Sequence, residues 1–322
     1  MKKLIVKCRK SAYFIVSLSK QFKVRPFFDV ISMMYHMILP VWGGDINKHY
    51  EIRHRLNLKF LKKNLTLPEE IPASSNISPN DYRIWVLWWQ GEDNMPELVK
   101  ATFSSIKQAT DKEVVLVTEK NISMYIDIPE FISVKVKKGI ITMAALSDYI
   151  RVSLLDKFGG LWIDSTVFFA NPIPTDVYSS KFYSIRNISN SSQFVAKGKW
   201  NVQFLGTNEA HNRVFFLMKS LFEEYWKRYS LLVDYLLVDY CFEYIYENDK
   251  QCRSMFDSIP YTNKSMHLLR GMLNNPYNAS TFQKLVNDDT YLFKLTYKIK
   301  LQKEIGGKET FYGHILKLGK KA

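Results

Sequence analysis

Residues 142 to 174, TMAALSDYIRVSLLDKFGGLWIDSTVFFANPIP, constrain the fold of this chain more than any other stretch. The first half predicts a helix, with Thr142 as a plausible N-cap. Apolar residues recur there at the spacing of one helix face, at Met143, Leu146, Ile150 and Leu154. Val152 and Leu155 make the opposite side apolar as well, so the helix is expected to be buried on more than one side.

A glycine pair and a short strand are predicted to follow this helix. Gly159 and Gly160 accept the left-handed geometry that ends helices. Residues 161 to 163 are all apolar, which indicates a short strand that is covered on both faces. Asp164 ends this strand. Because strand side chains alternate, Asp164 and Thr166 are expected to point to the same side.

Two further polar side chains are expected near the end of the strand. Asp148 and Arg151 are three residues apart in the predicted helix and therefore share a face. With Asp164 they place two carboxylates and a guanidinium near the carboxyl end of a strand, where open α/β sheets bind ligands. A carboxylate at such a position can hold a divalent cation, and the cation can hold a diphosphate.

These residues carry a resemblance to a known family. The motifs A-x-x-S-D-Y-x-R at 144 to 151 and G-G-L-W-I-D-S-T at 159 to 166 resemble the core of the bacterial capsular polysaccharide synthesis glycosyltransferases. Those enzymes are similar to family 32 glycosyltransferases, the yeast initiating α-1,6-mannosyltransferase and the glucosyltransferase domain of large clostridial toxins. The resemblance implies an α/β, Rossmann-like GT-A fold, in which helices flank a mixed sheet that binds a nucleotide sugar.

The resemblance also implies roles for the polar residues. Asp164, Asp148 and Arg151 would be the catalytic residues, and Asp164 would bind Mn²⁺ or Mg²⁺. The usual second carboxylate of the family is Thr166 here, which could supply a hydroxyl or hold a metal-bound water, with weaker binding expected. Asp148 would accept hydrogen bonds from ribose or sugar hydroxyls, and Arg151 would contact the sugar or orient Asp148 or the diphosphate. The alternatives are a structural ion pair for Asp148 and Arg151, and a turn-capping carboxylate for Asp164.

Residues 83 to 89, RIWVLWW, show the pattern of a buried strand before a turn at Gly91. In the resembling families the first strand ends in a W-x-G-like element whose aromatic ring stacks near the nucleobase. Trp89 with Gly91 matches that element best, and Trp88 is the alternative. Core packing is the competing interpretation of either ring.

Four more residues are candidates for donor or acceptor contacts. Trp162 lies in the predicted central strand and is expected to contact the donor. His314 lies in the aromatic segment 310 to 316, and in related GT-A enzymes the carboxy-terminal segment often closes over the donor diphosphate. His314 is therefore a candidate phosphate or metal contact, with a surface histidine as the alternative. Asp234 and Asp239 could line an acceptor pocket or face solvent on a predicted helix at 231 to 246.

The remaining patterns divide the chain into three parts. Residues 1 to 67 are predicted to be a basic, amphipathic helical segment, residues 68 to 81 a Pro- and Ser-rich linker, and residues 82 to 322 the GT-A domain. The domain is expected to begin with a parallel β-α-β unit at 83 to 89, 96 to 108 and 113 to 118. Further on, the patterns predict an edge strand at 134 to 136, strands at 181 to 187, 193 to 196 and 201 to 207, and a helix at 211 to 229.

The charge indicates the kind of partner. The formal net charge is +14, which favours nucleic acid, anionic lipid or phosphorylated substrates. Because no nucleic-acid motif occurs, no nucleic-acid partner is expected. Residues 1 to 28 carry eight Lys or Arg and no acid, interleaved with aromatic and aliphatic residues. They are expected to lie on anionic lipid, with a solvated arm as the alternative.

The cysteine count and the amino-terminal sequence indicate the cellular compartment of the protein. Three cysteines, an odd number not at ligand spacing, indicate a reducing compartment. No cleavable signal peptide is predicted, and the apolar segment 27 to 42 falls short of the ~20 apolar residues that a spanning helix needs. The chain is therefore expected to be cytoplasmic and peripheral at the inner face of a bacterial plasma membrane.

Together these features predict a hexosyltransferase of capsule or exopolysaccharide synthesis. The donor would be a nucleotide-diphosphate sugar, with a UDP-sugar as first choice, and the acceptor a polyprenyl-diphosphate-linked oligosaccharide. The resemblance implies retention of the anomeric configuration. The alternative is a catalytically decayed GT-A domain that acts as a membrane-surface scaffold in polysaccharide assembly, an interpretation favoured by Thr166 in place of a carboxylate.

Overall fold

A five-stranded mixed sheet lies at the centre of the computed structural model, which describes residues 2–187, 191–287 and 289–320. The strands of these residues are β1 Ser75–Asn76, β2 Arg83–Leu87, β3 Glu113–Val117, β4 Gly160–Ile163, β5 Val167–Phe169, β6 Tyr183–Ser184, β7 Phe204–Thr207, β8 Glu209–Ala210, β9 Leu292–Lys294, β10 Glu304–Ile305 and β11 Lys308–Glu309. The central sheet has the order β3-β2-β4-β7-β6. Its first three strands are parallel, and β7 and β6 are antiparallel to their neighbours.

Helices flank this sheet, so the predicted α/β class with a mixed sheet and a helical amino-terminal segment is confirmed. The α-helices are α1 Lys2–Ser19, α2 Phe27–Ile38, α3 Ile46–Asn64, α4 Glu97–Gln108, α5 Glu130–Lys137, α6 Met143–Phe158, α7 Asp176–Ser179, α8 Arg213–Arg228, α9 Leu237–Asn248, α10 Lys250–Asp257, α11 Leu268–Met272, α12 Ala279–Asn287 and α13 Phe311–Gly319. Small antiparallel ladders pair β1 with β8, β5 with β9, and β10 with β11.

The first β-α-β unit forms as predicted. Strand β2 is an apolar run whose three central side chains, Ile84, Trp85 and Val86, are fully buried. It pairs in parallel with β3 on one side and with β4 on the other. Helix α4 connects β2 to β3, and parallel neighbours require such a crossover.

Helix α6 also forms as the sequence predicts. The Thr142 side chain caps it by accepting a hydrogen bond from the Ala145 amide at 3.3 Å. Its buried residues lie on several sides, as its uniformly apolar pattern indicated. Gly159 and Gly160 end the helix with positive φ values of 63° and 90°. The Trp85 indole then donates to the Gly159 carbonyl at 2.9 Å, which fixes the helix end against the sheet.

The predicted alternation beyond β4 is wrong. Strand β4 ends at Ile163, and the amide of Val167 donates to the carbonyl of Asp164 at 2.9 Å. Ser165 and Thr166 therefore form a turn between β4 and β5. Strand periodicity does not apply inside a turn, so it gives no reason for Asp164 and Thr166 to share a side.

Other short strand predictions are also wrong. Residues 134 to 136 belong to helix α5, in which Ile132 and Val136 lie one helical turn apart and face the core. The strand was predicted because the sequence V-K-V also fits strand alternation. Residues 193 to 196 form turns, and of segments 181 to 187 and 201 to 207 only β6 and β7 are strands. In the carboxy-terminal half the predicted helices at 211 to 229 and 231 to 246 become α8 and the shorter α9.

The amino-terminal helices pack on the rest of the chain. Asp45 caps α3, which lies in the predicted helical segment 1 to 67, and Arg53 of α3 pairs with Asp234 before α9. In the predicted linker, β1 is fixed by its ladder with β8.

The proposed division at 67 and 81 stays a prediction, and residues 1, 188–190, 288 and 321–322 of those parts lie outside the described residues. Among the described helices, none combines the length and hydropathy that crossing a membrane requires.

Candidate active site

The carboxyl ends of β2 and β4 lie side by side. Trp85 of β2 pairs with Trp162 of β4 in parallel register. The residues that follow the two strands, Trp88 and Asp164, therefore leave the sheet at the same edge. Ligands of open α/β sheets bind at this edge. The contacts of Trp88 and Asp164 with a donor stay predictions.

Asp164 accepts three side-chain hydrogen bonds. Its Oδ1 accepts from Arg151 Nη2 at 3.1 Å and from Trp162 Nε1 at 3.0 Å. Its Oδ2 accepts from Lys294 Nζ at 2.7 Å. Both oxygens of this carboxylate are thus bonded to protein donors, two of which carry positive charge.

Arg151 connects the two predicted carboxylates. Its Nη1 donates to Asp148 Oδ1 at 2.8 Å, while Nη2 donates to Asp164. The guanidinium also lies over the Trp162 ring, 5.0 Å from its centroid. The structure therefore brings together Asp148, Arg151, Trp162 and Asp164, and their roles with a donor stay predictions.

Lys294 completes this group, and the sequence analysis missed it. It ends β9, where it pairs with Val167 of β5, just after the turn that contains Thr166. The amide of Leu295 donates to the Thr166 carbonyl at 2.9 Å and ties the two segments together. The only local signal was a single lysine inside the apolar run 292 to 295, LFKL. We call Asp148, Arg151, Trp162, Asp164 and Lys294 the Asp164 cluster.

The two carboxyl groups of the cluster differ in protonation. Burial raises the pKa of Asp148 to about 7, against the opposing effect of Arg151. Burial also acts to raise the pKa of Asp164, but Lys294 and Arg151 together outweigh it and hold that pKa below its usual value. Asp164 is therefore the permanent anion of the cluster, while Asp148 exchanges a proton near neutral pH.

Asp239 belongs to the same electrostatic environment. It accepts a hydrogen bond from Trp200 Nε1 at 2.9 Å, and burial raises its pKa to about 6. Its charge contributes to the raised pKa of Asp148. Asp234, in contrast, is a buried partner of Arg53 and Asn57, so the solvent-facing alternative does not fit it, and its role in an acceptor pocket stays a prediction.

Three polar atoms near this edge are buried without a hydrogen-bond partner among the described residues. They are Trp88 Nε1, Arg151 Nε and Gln203 Oε1. The Gln203 carbonyl accepts from the Asp164 amide at 3.0 Å, which places this residue beside the cluster. Buried polar atoms nearly always have partners in native proteins. A polar ligand at the strand ends would satisfy such atoms.

The two candidate base-stacking rings lie in different surroundings. Trp88 packs edge-to-face with Tyr297, three residues after Lys294, at 5.7 Å between centroids. Trp89 packs against the core cluster that includes Trp85. Gly91 closes the turn, since its amide donates to the Trp88 carbonyl at 3.0 Å and its φ is +84°. Its role here is conformational, because positive φ is cheap only for glycine.

His314 packs among side chains of the carboxy-terminal part. It is on α13, where its ring stacks on Tyr277 with 3.7 Å between centroids, and its Nδ1 is 3.8 Å from a Glu309 carboxylate oxygen. Its predicted contact with phosphate or metal stays a prediction.

The donor set does not fit a divalent cation in this arrangement. Within the described residues, no group of three or more His, Cys, Asp or Glu side chains could hold a metal ion. Asp164 has its oxygens bonded to an ammonium, a guanidinium and an indole, and both cationic groups would repel a dication. The predicted Mn²⁺ or Mg²⁺ at Asp164 and Thr166 would have to displace Lys294 or Arg151 from this carboxylate, and its binding stays a prediction.

Comparisons with known proteins add a family. A family model described as capsular polysaccharide synthesis protein matches residues 42–315. A comparison with curated proteins gave no match. Among solved structures, the apo structure of the WbbM bifunctional glycosyltransferase is similar, with 8% sequence identity and a TM-score of 0.39. The match covers 84% of this chain and 57% of that longer chain.

Proposed function

The chain belongs to the capsular polysaccharide synthesis protein family, and we propose that it is a glycosyltransferase that takes a hexose from a nucleotide-diphosphate sugar. The observation that carries this proposal is the Asp164 cluster at the adjoining carboxyl ends of β2 and β4. A UDP-sugar is the first choice of donor. The acceptor is a polyprenyl-diphosphate-linked oligosaccharide, and the product extends a capsular or related polysaccharide.

Each side chain of the cluster has a role that its contacts support. Arg151 is held rigidly by Asp148, Asp164 and the Trp162 ring, so its orientation is set before the donor binds. Asp148 can accept from sugar or ribose hydroxyls when ionised and can donate when protonated, because its pKa is about 7. Trp88 has a half-buried ring and an indole N–H without a hydrogen-bond partner among the described residues, and both are candidate contacts for the nucleobase or ribose.

The proposed activity is tested by a screen of sugar nucleotides. Purified protein is heated with each donor, and thermal unfolding is followed with and without Mn²⁺. A ligand at one hundred times its Kd stabilises the folded state by ~2.7 kcal/mol, so we expect one donor to raise the Tm by several degrees. The same donor should be turned over to a nucleoside diphosphate. The alternative that Thr166 favours is a catalytically decayed domain that acts as a scaffold, and it would show neither the rise in Tm nor turnover.

Substitution of the two tryptophans distinguishes their predicted roles. Trp88→Phe keeps a ring and removes the indole N–H that has no partner in the described part of the chain, so we expect nucleoside diphosphate affinity to fall about fivefold, the value of one lost hydrogen bond. Trp89→Phe is the matched control and should leave affinity unchanged. Isothermal titration of the stabilising nucleotide measures both. A larger loss of affinity for Trp89→Phe would indicate that the base contacts Trp89 and not Trp88.

We also propose that the amino-terminal helices lie on an anionic membrane surface at the cytoplasmic face of a bacterial plasma membrane. More than half of the exposed large hydrophobic side chains among the described residues lie before residue 47. On α2, Phe28, Ile31 and Tyr35 share one face and are 81%, 41% and 59% exposed. With the eight basic residues of segment 1 to 28, this face suits a negatively charged lipid surface.

Removing this apolar face should release the protein from vesicles. The double variant Phe28→Ser/Tyr35→Ser should bind vesicles with about 30% phosphatidylglycerol at least about tenfold more weakly, because two aromatic side chains lose their burial in lipid. The control Met124→Ser/Phe194→Ser removes two exposed hydrophobic residues elsewhere and should bind like the wild type. Cosedimentation measures both. Equal binding by the two double variants would contradict the membrane proposal.

A further inference from the structure

Lys294 lies where the metal-dependent mechanism would place the divalent cation. Its ammonium is 2.7 Å from Asp164 Oδ2, and its side chain is only 14% exposed. The other carboxylate oxygen is already engaged by Arg151 and Trp162. The charge next to the strand-end carboxylate is therefore supplied by the protein itself.

More positive charge lies around Lys294. Burial lowers the pKa of Lys294, Asp164 opposes this, and repulsion from Arg151 and Arg270 lowers it further. Arg151 is buried and donates to Asp164 Oδ1, while Lys294 donates to Oδ2 of the same carboxylate, so the two positive groups lie next to each other. Concentrated positive charge of this kind attracts and holds anions.

We propose that Lys294, assisted by Arg151, binds the donor diphosphate and stabilises it as the leaving group, so that transfer does not require a divalent cation. This inference rests on the proposed function. Fixed positive groups at a site of developing negative charge are among the largest contributions to catalysis. Lys294 is then a catalytic residue, and Asp164 is the residue that positions it.

The chemical step needs charge stabilisation at one oxygen. The bond between the anomeric carbon and the β-phosphate oxygen breaks, and both electrons stay on the oxygen. The acceptor hydroxyl oxygen forms the new bond to the anomeric carbon, and its proton passes to the departing diphosphate. Negative charge on the diphosphate rises as the first bond breaks, and the Lys294 ammonium can donate a charge-assisted hydrogen bond to it.

The single carboxylate that follows strand β4 agrees with the proposal. A dication needs several anionic or neutral oxygen ligands, whereas one ammonium is balanced by one carboxylate. The residue at the position of the second carboxylate is Thr166, and its carbonyl accepts from the Leu295 amide. That hydrogen bond fixes the backbone next to Lys294. Thr166 therefore contributes to holding the lysine in place through its main chain.

The test measures binding of nucleoside diphosphates with metal removed. UDP, GDP, ADP and CDP are titrated into the full-length protein in excess EDTA and again with Mn²⁺. We expect one of them to bind in EDTA with an affinity within about threefold of that measured with Mn²⁺, because protein cations hold the diphosphate. Turnover of the matching sugar nucleotide should likewise persist in EDTA.

Variants of Lys294 connect this binding to the residue. Lys294→Ala and the closer-sized Lys294→Met should weaken metal-free binding about 30-fold or more, while Lys294→Arg should recover most of it. Lys250→Ala, at an exposed lysine on α10, is the matched control and should bind like the wild type. Far-ultraviolet circular dichroism and the Tm establish that each variant is folded. The wild-type comparison in EDTA needs no variant at all.

The outcomes of these titrations distinguish failure of the inference about Lys294 from failure of the proposed glycosyltransferase function. Binding in EDTA that is lost in the Ala and Met variants and recovered in the Arg variant supports the role of Lys294. Binding and turnover that require Mn²⁺ and survive Lys294→Met would overturn it, while the glycosyltransferase function would stand. If no nucleoside diphosphate binds with or without metal, the proposed function fails and the inference fails with it.

Discussion

Replacing Asp164 with asparagine is expected to lower kcat/KM for sugar transfer by about 100-fold or more while the protein stays folded. Asparagine keeps the size of the side chain and one acceptor oxygen, but removes the negative charge between Lys294 and Arg151. These cations lie 2.7 and 3.1 Å from the carboxylate and are nearly buried, so without it they repel each other and lose their positions. Rates with the donor found in the screen, together with the Tm, measure the effect.

Asp148→Asn is the comparison variant. Because the pKa of Asp148 is about 7, this group is already protonated in about half of the molecules at neutral pH. The asparagine oxygen can still accept from Arg151 Nη1. We therefore expect a loss of about tenfold or less at pH 7. A loss for Asp164→Asn smaller than that for Asp148→Asn would contradict the assignment of Asp164 as the permanent anion of the site.

Gly160→Ala is expected to destabilise the protein by at least ~3 kcal/mol, because two costs add. Gly160 has φ of +90°, which a residue with a Cβ adopts only with strain. A Cβ built there would also lie 2.3 Å from the Arg83 carbonyl oxygen in the neighbouring strand β2. Since that contact is with backbone, the junction between α6 and β4 would have to shift. Thermal unfolding should show a Tm lower by at least about 6 °C.

Gly271→Ala provides the control for this substitution. Gly271 lies in helix α11, has no positive φ, and a Cβ there would meet nothing within 4 Å. Alanine is the better helix former, so the Tm should stay the same or rise slightly. Equal Tm values for Gly160→Ala and Gly271→Ala would contradict the close approach of β2 and β4 at Gly160.

The elements with strong local signals could be predicted from the sequence. Helix α6 combines a threonine cap, an apolar pattern on several sides and a glycine pair, and these signals agree with one another. Because Asp148 and Arg151 share a face of this helix and Asp164 follows β4 directly, their proximity also followed from local spacing. The first β-α-β unit was predictable for the same reason.

Short segments without such agreement could not be predicted. The chain turns immediately after Asp164, held by the hydrogen bond from Val167 to Asp164, and nothing in D-S-T distinguishes a turn from a strand end. Residues 134 to 136 satisfy both strand and helix periodicity, and the packing of Ile132 decides in favour of α5. Tertiary contacts decide the structure in both cases.

Lys294 shows why part of the site could not be predicted from the sequence. It is 130 residues from Asp164 in the sequence and reaches it only through the β5–β9 ladder. That ladder is three residues long on each strand, too short for a reliable periodic signal. The contact of Trp88 with Tyr297, a residue far along the chain, could not be predicted for the same reason, and the choice between Trp88 and Trp89 stays a prediction.

A crystal structure of the protein with the nucleoside diphosphate that binds best would show directly whether the diphosphate contacts Lys294. We expect the diphosphate within hydrogen-bond distance of Lys294 Nζ, with the base beside Trp88. Binding elsewhere would contradict this expectation, for example in the cavity of about 240 Å³ that α1, α2 and α3 form with residues 232 to 235.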